Sequence, residues 1–284
     1  MSEIGVKLLD PRPRRTLLYL PASRASAVAK ARTLDCDVVI LDLEDAVAPD
    51  AKPGARDAAE AALDGGWGHR EIAVRVNALG THWSADDIAM VVRTRPDAVV
   101  VPKLGSAAEA RAAVAAAGGV PVWGMIETPA GLLDVAAIAA TPGITALIAG
   151  FADLAADLRL RPDAMRTPLH PAMSAIVVAA RAADILAFDG VFVDLRDGDG
   201  LAAEARQAAM FGFDGKTIIH PDQIEAVNLS FVPTPAELLY AERLIAAHSV
   251  AGGGVTTLDG RMIESLHVAA AQQILAMAGL VSAR

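Results

Sequence analysis

Val122-Trp123-Gly124-Met125-Ile126-Glu127-Thr128-Pro129-Ala130-Gly131 is the stretch whose reading decides the fold. The run from Val120 to Ile126 is short and apolar, as in a strand buried on both faces. It stops at a carboxylate, Glu127. Pro129 and Gly131 then break the strand and open a helix near Leu132. A charge at the end of a buried strand costs free energy unless it is paired, hydrogen-bonded or bound to a metal. The pattern recurs downstream, where residues 144–150 are apolar and close in Phe151-Ala152-Asp153-Leu154. Two consecutive strands therefore deliver a carboxylate to one rim. Two readings stand. The pair suits a hard divalent cation such as Mg²⁺, which takes one or two carboxylates with waters and substrate oxygens. Alternatively, the two acids are helix N-caps or loop residues.

Working outward, the same strand-then-helix unit repeats along the chain. The spacing predicts strands over 16–20, 37–43, 71–76, 98–101, 120–126, 144–150, 190–194 and 215–219. Helical patterns fall between them, among them 23–34, 53–63, 172–185 and 200–211. Such alternation means a parallel sheet with helical crossovers. Eight units in about 220 residues is the count and length of a TIM (β/α)8 barrel, an α/β fold. The competing architecture is an open doubly wound sheet, but no Gly-x-Gly-x-x-Gly follows the first strand. The expected organisation is a lead-in over 1–14, the barrel over 15–230 and a C-terminal extension over 231–284. That extension reads as a helix, a hairpin turning at Asp259-Gly260 and a last helix from about Leu266. It serves either as packing or as an arm covering a neighbouring subunit's active site.

A barrel gathers functional side chains at the C-terminal ends of its strands. The residues at those ends are Glu44, Asp45, Arg75, Asn77, Lys103, Glu127, Asp153, Asp194 and His220. The N-terminal ends carry Asp37, Glu71, Asp97 and Asp214. His220 precedes Pro221 and reads as a helix-entry residue.

The bulk properties exclude some classes. Of 284 residues, 54% are hydrophobic, so a large core is easily filled, and the net charge of −9 disfavours nucleic acid as the main partner. A local basic group, Arg12, Arg14, Arg15, Arg24, Lys30 and Arg32, either serves an anionic ligand or is solvated. The single Cys36 lies in an apolar run and reads as a buried small hydrophobe. One cysteine allows no intrachain disulfide, which fits the cytoplasm. Residues 1–13 have no apolar signal core, and the longest apolar stretch is interrupted by Asp134, Pro142 and Gly143, so no membrane span is expected.

Several motifs together carry a family resemblance. They are Arg15-Thr16-Leu17-Leu18-Tyr19-Leu20-Pro21, Asp42-Leu43-Glu44-Asp45-Ala46-Val47, Arg75-Val76-Asn77, Val101-Pro102-Lys103, Ile126-Glu127-Thr128, Asp153-Leu154-Ala155-Ala156-Asp157-Leu158, and Gly215-Lys216-Thr217-Ile218-Ile219-His220-Pro221. In that order the chain resembles the citrate lyase β-subunit-like proteins of the HpcH/HpaI aldolase superfamily along essentially its whole length. The resemblance implies a TIM barrel, a homotrimer, a Mg²⁺ ion, and a lyase that cleaves or forms a 3-hydroxyacyl-CoA thioester such as citryl-CoA or malyl-CoA. The products would be acetyl-CoA and a 2-oxo acid, oxaloacetate or glyoxylate.

By the same resemblance, Glu127 and Asp153 are metal ligands, and Glu44 and Asp45 hold metal-bound waters. Arg75 grips the 2-oxo acid carboxylate, and Lys103 adds positive charge near the substrate. Arg15 and Arg24 are candidates for the CoA phosphates. Relatives often have Glu-Asp-Leu where this chain has Ala152-Asp153-Leu154. They often have Met-Ile-Asp where it has Met262-Ile263-Glu264, so Glu264 stands where an acid/base acting across the subunit interface is expected. The rival functions are a CoA-independent class II pyruvate aldolase, a subunit binding an acyl carrier protein inside a lyase complex, and a non-catalytic binding protein.

Overall fold

The structure is a computed structural model describing residues 12–161 and 163–282. Most of the expected lead-in lies outside the described residues. Arg14, expected to belong to it, is instead buried and ion-paired with Glu71.

Eight parallel strands close into a barrel in sequence order: β1 (Thr16–Pro21), β2 (Val38–Asp42), β3 (Glu71–Arg75), β4 (Ala98–Val101), β5 (Val122–Ile126), β6 (Ile144–Ala149), β7 (Leu186–Asp189) and β8 (Gly215–Ile218). The last pairs back onto the first, Leu17 opposite Thr217. The helices between them include α1 (Ala25–Ala31), α2 (Lys52–Leu63), α3 (Ser84–Thr94), α4 (Ala107–Ala116), α5 (Pro129–Leu133), α6 (Val135–Ala139), α7 (Phe151–Asp157), α8 (His170–Ala182), α9 (Gly198–Phe211) and α10 (Ile224–Ser230). The expected barrel is therefore the observed one.

Strand side chains alternate between two faces. One set fills the barrel: Leu17 and Tyr19, Val38 and Ile40, Ala73, Ala98 and Val100, Trp123 and Met125, Ala146 and Ile148, and Phe188. Trp123 and Phe188 supply the bulk, with ring centroids 5.4 Å apart. The intervening residues, such as Leu18, Val39 and Leu41, are buried too, as both faces of a parallel barrel strand must be.

The acids at the N-terminal ends of the strands are spent on structure. Asp37 accepts three bonds from Arg15: from its backbone N–H (2.8 Å), Nε (2.9 Å) and Nη2 (2.8 Å). Asp97 accepts the Ile72 N–H and Asp214 the Ala187 N–H, each at 2.8 Å.

The seventh strand departs from expectation. It spans Leu186–Asp189, not 190–194, and α8 stops at Ala182 instead of 185. The apolar tail of the helix runs straight into the apolar strand. The break falls at Asp184, a non-glycine residue with φ of +55°. Asp194 consequently lies in a loop, accepting the Arg196 N–H (3.0 Å).

A second compact unit begins at Ser230. It holds α11 (Pro235–Val250), the hairpin β9 (Thr256–Leu258) and β10 (Arg261–Ile263), and α12 (Ser265–Ser282). Thr234 and Glu237 form a capping box at the start of α11. Ala241, Leu244, Ile263 and Ala271 form its own small core. No helix among the described residues is long and apolar enough to cross a membrane.

Candidate active site

The alternation that fills the barrel also builds the site. Continuing each inward set by two residues puts Asp42 after Ile40, Arg75 after Ala73 and Glu127 after Met125. All three are buried and line a cavity of about 360 Å³ at the C-terminal ends of the strands. Tyr19, Met125 and Ile148 line its apolar part; Asp45 and Asp153 join the acids.

Arg75 is held in one plane. Its Nε and Nη2 donate to the two oxygens of Asp42, each at 2.7 Å, and Nη1 lies 3.1 Å from Glu44 Oε2. The guanidinium carbon sits 4.7 Å from the Tyr19 ring centroid. Burial lowers the pKa of Arg75, but the bonds to Asp42 and the neighbouring Tyr19 and Glu44 outweigh it, so the group is held above its ordinary value. Asp42 is fixed in turn by accepting the N–H groups of Glu44 (2.9 Å) and Ala46 (3.1 Å).

Glu127 accepts the backbone N–H of Lys103 at Oε1 (2.8 Å). Lys103 supplies that N–H from a left-handed conformation, φ +56°, rarely adopted by a side chain of its kind. Its Nζ lies 3.5 Å from Glu44 Oε1. Burial lowers the pKa of Lys103, and Glu44, Asp45 and Glu127 together raise it further than that. Across the cavity, Gly150 makes room for Glu127: a Cβ there would lie 2.3 Å from Glu127 Cβ and 2.6 Å from its Oε2. Asp153 stands in the first turn of α7, exposed to the cavity mouth.

The acids crowd one another. Burial, then repulsion from Glu44 and Asp153, pushes the Glu127 carboxyl up to about 7, against a partial offset from the Lys103 N–H. Glu44 is also raised, by burial more than Arg75 compensates. Its Oε2 faces Arg75 Nη1 as an ion pair, without a well-aligned hydrogen bond among the described residues. Five carboxylates (Asp42, Glu44, Asp45, Glu127, Asp153) thus meet two cations, Arg75 and Lys103. This imbalance and the all-oxygen donor set fit a hard divalent cation. Among the described residues no group of three or more His, Cys, Asp or Glu is placed to hold a metal unaided. The residues suited to Mg²⁺ are Glu127 and Asp153, with waters and substrate oxygens completing the set.

Glu44, Asp45, Arg75, Lys103, Glu127 and Asp153 therefore converge. Arg15 does not: it lies at the opposite end of β1, buried on Asp37, because the strand's N-terminal end faces the other rim. Its Nε and Nη2 are committed there, which removes it as a phosphate ligand. Of the basic group near the N-terminus, Arg24 and Lys30 alone line a second cavity. This groove of about 200 Å³ is also bordered by Tyr19, Ile219 and His220. Arg32 is spent on the Ala62 carbonyl (2.9 Å) and the Trp67 ring. His220 enters the turn after β8 as expected, its Nδ1 accepting the Asp222 N–H (3.2 Å). Glu264 belongs to the second unit, between β10 and α12, where its N–H donates to His267 Nδ1 (3.1 Å). Cys36 is fully buried.

Sequence reading gave Asp42 no role, although the inward period from Val38 and Ile40 points to it. It also passed over a buried ionic group behind the cavity. Lys216 Nζ donates to Asp189 (2.7 Å), Glu204 (2.6 Å) and the Gly190 carbonyl (2.5 Å), and Arg166 pairs with Asp189 (2.8 Å). Two cations and two anions balance there, and the group ties β7, β8 and α9 to the loop after α7.

Comparison with known proteins finds relatives along most of the chain. Residues 15–221 match the model of the HpcH/HpaI aldolase/citrate lyase family. A (3S)-malyl-CoA thioesterase of Cereibacter sphaeroides is 42% identical over 277 residues, covering 95% of this chain and 96% of its own. An L-malyl-CoA/beta-methylmalyl-CoA lyase of the same species is 34% identical, with 96% of both chains covered. Among solved structures, the CitE protein of Mycobacterium tuberculosis in complex with magnesium, acetoacetate and coenzyme A superposes with a TM-score of 0.83. It is 34% identical, and the match covers 95% of this chain and 99% of that one. The citrate lyase beta subunit from M. tuberculosis complexed with oxaloacetate and magnesium gives a TM-score of 0.70 at 37% identity, covering 79% of this chain and all of that one.

Proposed function

The chain belongs to the HpcH/HpaI aldolase/citrate lyase family, and on that premise we propose that it is a Mg²⁺-dependent carbon–carbon lyase acting on a 3-hydroxyacyl-CoA thioester of the malyl-CoA type. The observation that carries this reading is the convergence of Glu127 and Asp153 with Arg75 on one cavity. When bound, Mg²⁺ supplies Lewis acidity and a template for the oxygens of the 2-oxo acid half.

The chain's own residues do the rest. Asp42 holds the guanidinium of Arg75 in plane. Arg75 has five N–H donors, and those not turned to Asp42 or Glu44 bind the substrate carboxylate. Glu44 and Asp45 orient water. Arg24 and Lys30, in the adjoining groove, hold the anionic end of CoA. A carboxylate, Glu264 of a neighbouring chain in a homotrimer, takes the proton of the substrate hydroxyl. As the carbon–carbon bond breaks, its electron pair moves toward the thioester, and protonation of the CH₂ carbon gives acetyl-CoA beside the 2-oxo acid. The single buried Cys36 accords with a cytoplasmic setting.

A second reading has specific support. The 42% identical relatives are named thioesterases, so hydrolysis of the same thioester to the free hydroxy acid and CoA is the alternative outcome. Purified protein given malyl-CoA or citryl-CoA, with Mg²⁺ or with EDTA, separates the two. Metal-dependent release of glyoxylate or oxaloacetate without free thiol supports the lyase. Free thiol without 2-oxo acid makes it a thioesterase. Turnover of neither compound refutes both readings.

A further inference from the structure

Tyr19 and Ile219 are the residues shared by the walls of both cavities, the acidic one holding Glu127 and Arg75 and the basic groove holding Arg24 and Lys30. A ligand with a phosphate-bearing arm in the groove and an acyl group among the acids passes this wall at its junction. Tyr19 is the polar residue of the two. It holds the inward position two residues after Leu17, and its ring carries the Arg75 guanidinium.

The hydroxyl of Tyr19 is poorly matched to what surrounds it. Among the described residues its acceptor is the Met125 thioether sulfur, at 3.8 Å. A thioether is a weak acceptor, and a buried phenolic O–H ordinarily finds a better one. The other hydroxyl on this cavity is taken, since Thr217 Oγ1 donates to the Asp189 carbonyl (2.9 Å). Tyr19 thus offers a donor in a largely apolar pocket whose acceptor has to come with the ligand.

We propose that Tyr19 Oη donates a hydrogen bond to the thioester carbonyl oxygen of the bound substrate, making it a catalytic residue. This rests on the CoA-thioester reading of the site. The substrate carboxylate already has a cationic partner in Arg75, whereas no residue assigned so far addresses the thioester oxygen. Carbon–carbon cleavage moves an electron pair onto that oxygen, and hydrolysis also places negative charge on it. A donor fixed there before reaction, away from bulk water, lowers the barrier for either outcome.

The test is Tyr19→Phe in the full-length protein, which removes one oxygen and keeps the ring under Arg75. With malyl-CoA and Mg²⁺, kcat is expected to fall about 100-fold, while KM for the thioester and the Kd for Mg²⁺ change less than about threefold. A second readout needs no turnover. Acetyl-CoA carrying ¹³C at the carbonyl is bound with Mg²⁺ and oxalate, and its carbonyl stretch is read by infrared difference spectroscopy. The band is expected at lower wavenumber in the wild type than in Tyr19→Phe. Coincident bands, or an unchanged kcat, overturn the proposal. So does a loss confined to the KM for the 2-oxo acid in the condensation direction, which would assign the hydroxyl to the carboxylate. If the wild type turns over no thioester, the lyase and thioesterase readings fail, and the band comparison still decides the role of Tyr19.

Discussion

At the scale of single residues, the site depends on acids that oppose one another until a cation arrives. Glu127, pushed up to about 7 by burial and by Glu44 and Asp153, is partly protonated at neutral pH without metal. Because Mg²⁺ requires the carboxylate, its affinity is expected to fall as pH drops below about 7, with roughly one proton released per ion bound. Calorimetry in buffers of different ionisation enthalpy measures this, and a pH-independent affinity between 6 and 8 would refute it. The sign for stability follows from linkage. An acid whose folded pKa lies above its unfolded value destabilises the metal-free fold as pH rises between the two values. Metal-free protein should therefore lose Tm from about pH 5 to pH 7.5, and Glu127→Gln should flatten that slope and abolish Mg²⁺ binding. Asp42→Asn tests the other half of the site. It leaves Arg75 charged but frees its plane, and kcat/KM is expected to fall about 10- to 100-fold with Mg²⁺ binding intact. Glu127 was legible in the sequence because a charge ending an apolar run is conspicuous. Asp42 was not, because three acids crowd residues 42–45 and only the barrel's closure shows which of them meets Arg75.

Among elements, the junction of β6 with α7 sets the spacing of Glu127 and Asp153, the two acids proposed to bind the metal. Gly150 is the N-cap of α7, and Glu127 occupies the space its side chain would need. Gly150→Ala would set a Cβ 2.3 Å from Glu127 Cβ, so β5 and β6 must shift apart. Mg²⁺ binding is expected to weaken by about tenfold or more and Tm to fall, with the barrel's circular dichroism retained. An unchanged Kd would show that β6 alone yields. The fold itself was readable because eight apolar runs, each with its own helix, leave few architectures open. The register of β7 was not, since residues 172–188 are apolar but for Ser174, Arg181 and Asp184 and the stop between α8 and β7 is that left-handed aspartate. That slip hid Asp189, the acid that pairs Lys216 and Arg166. Removing one member of such a buried set leaves an uncompensated charge, so Lys216→Met should cost about 3–5 kcal/mol of unfolding free energy in urea titration.

For the whole molecule, the open question is where the second unit delivers its carboxylate. Glu264 leads into α12 of a unit with its own core, and the proposed reaction draws its base from outside the cavity: Glu127 and Asp153 are assigned to the metal, Asp42 holds Arg75, and Glu44 and Asp45 are assigned to water. If Glu264 acts on a neighbouring chain, two inactive variants should rescue each other. Glu264→Gln keeps the metal site and lacks the base. Glu127→Gln keeps the base and lacks the metal site. Each alone is expected to be inactive on malyl-CoA, whereas subunits exchanged at equal ratio in a closed ring should recover about a quarter of wild-type turnover. That is the chance that an intact cavity meets an intact Glu264. Light scattering supplies the accompanying check, a mass three times the 29.3 kDa chain. No recovery in mixtures shown to exchange would place the base within the same chain. Full activity of Glu264→Gln alone would remove Glu264 from the chemistry and leave the proton to water ordered by Glu44 and Asp45.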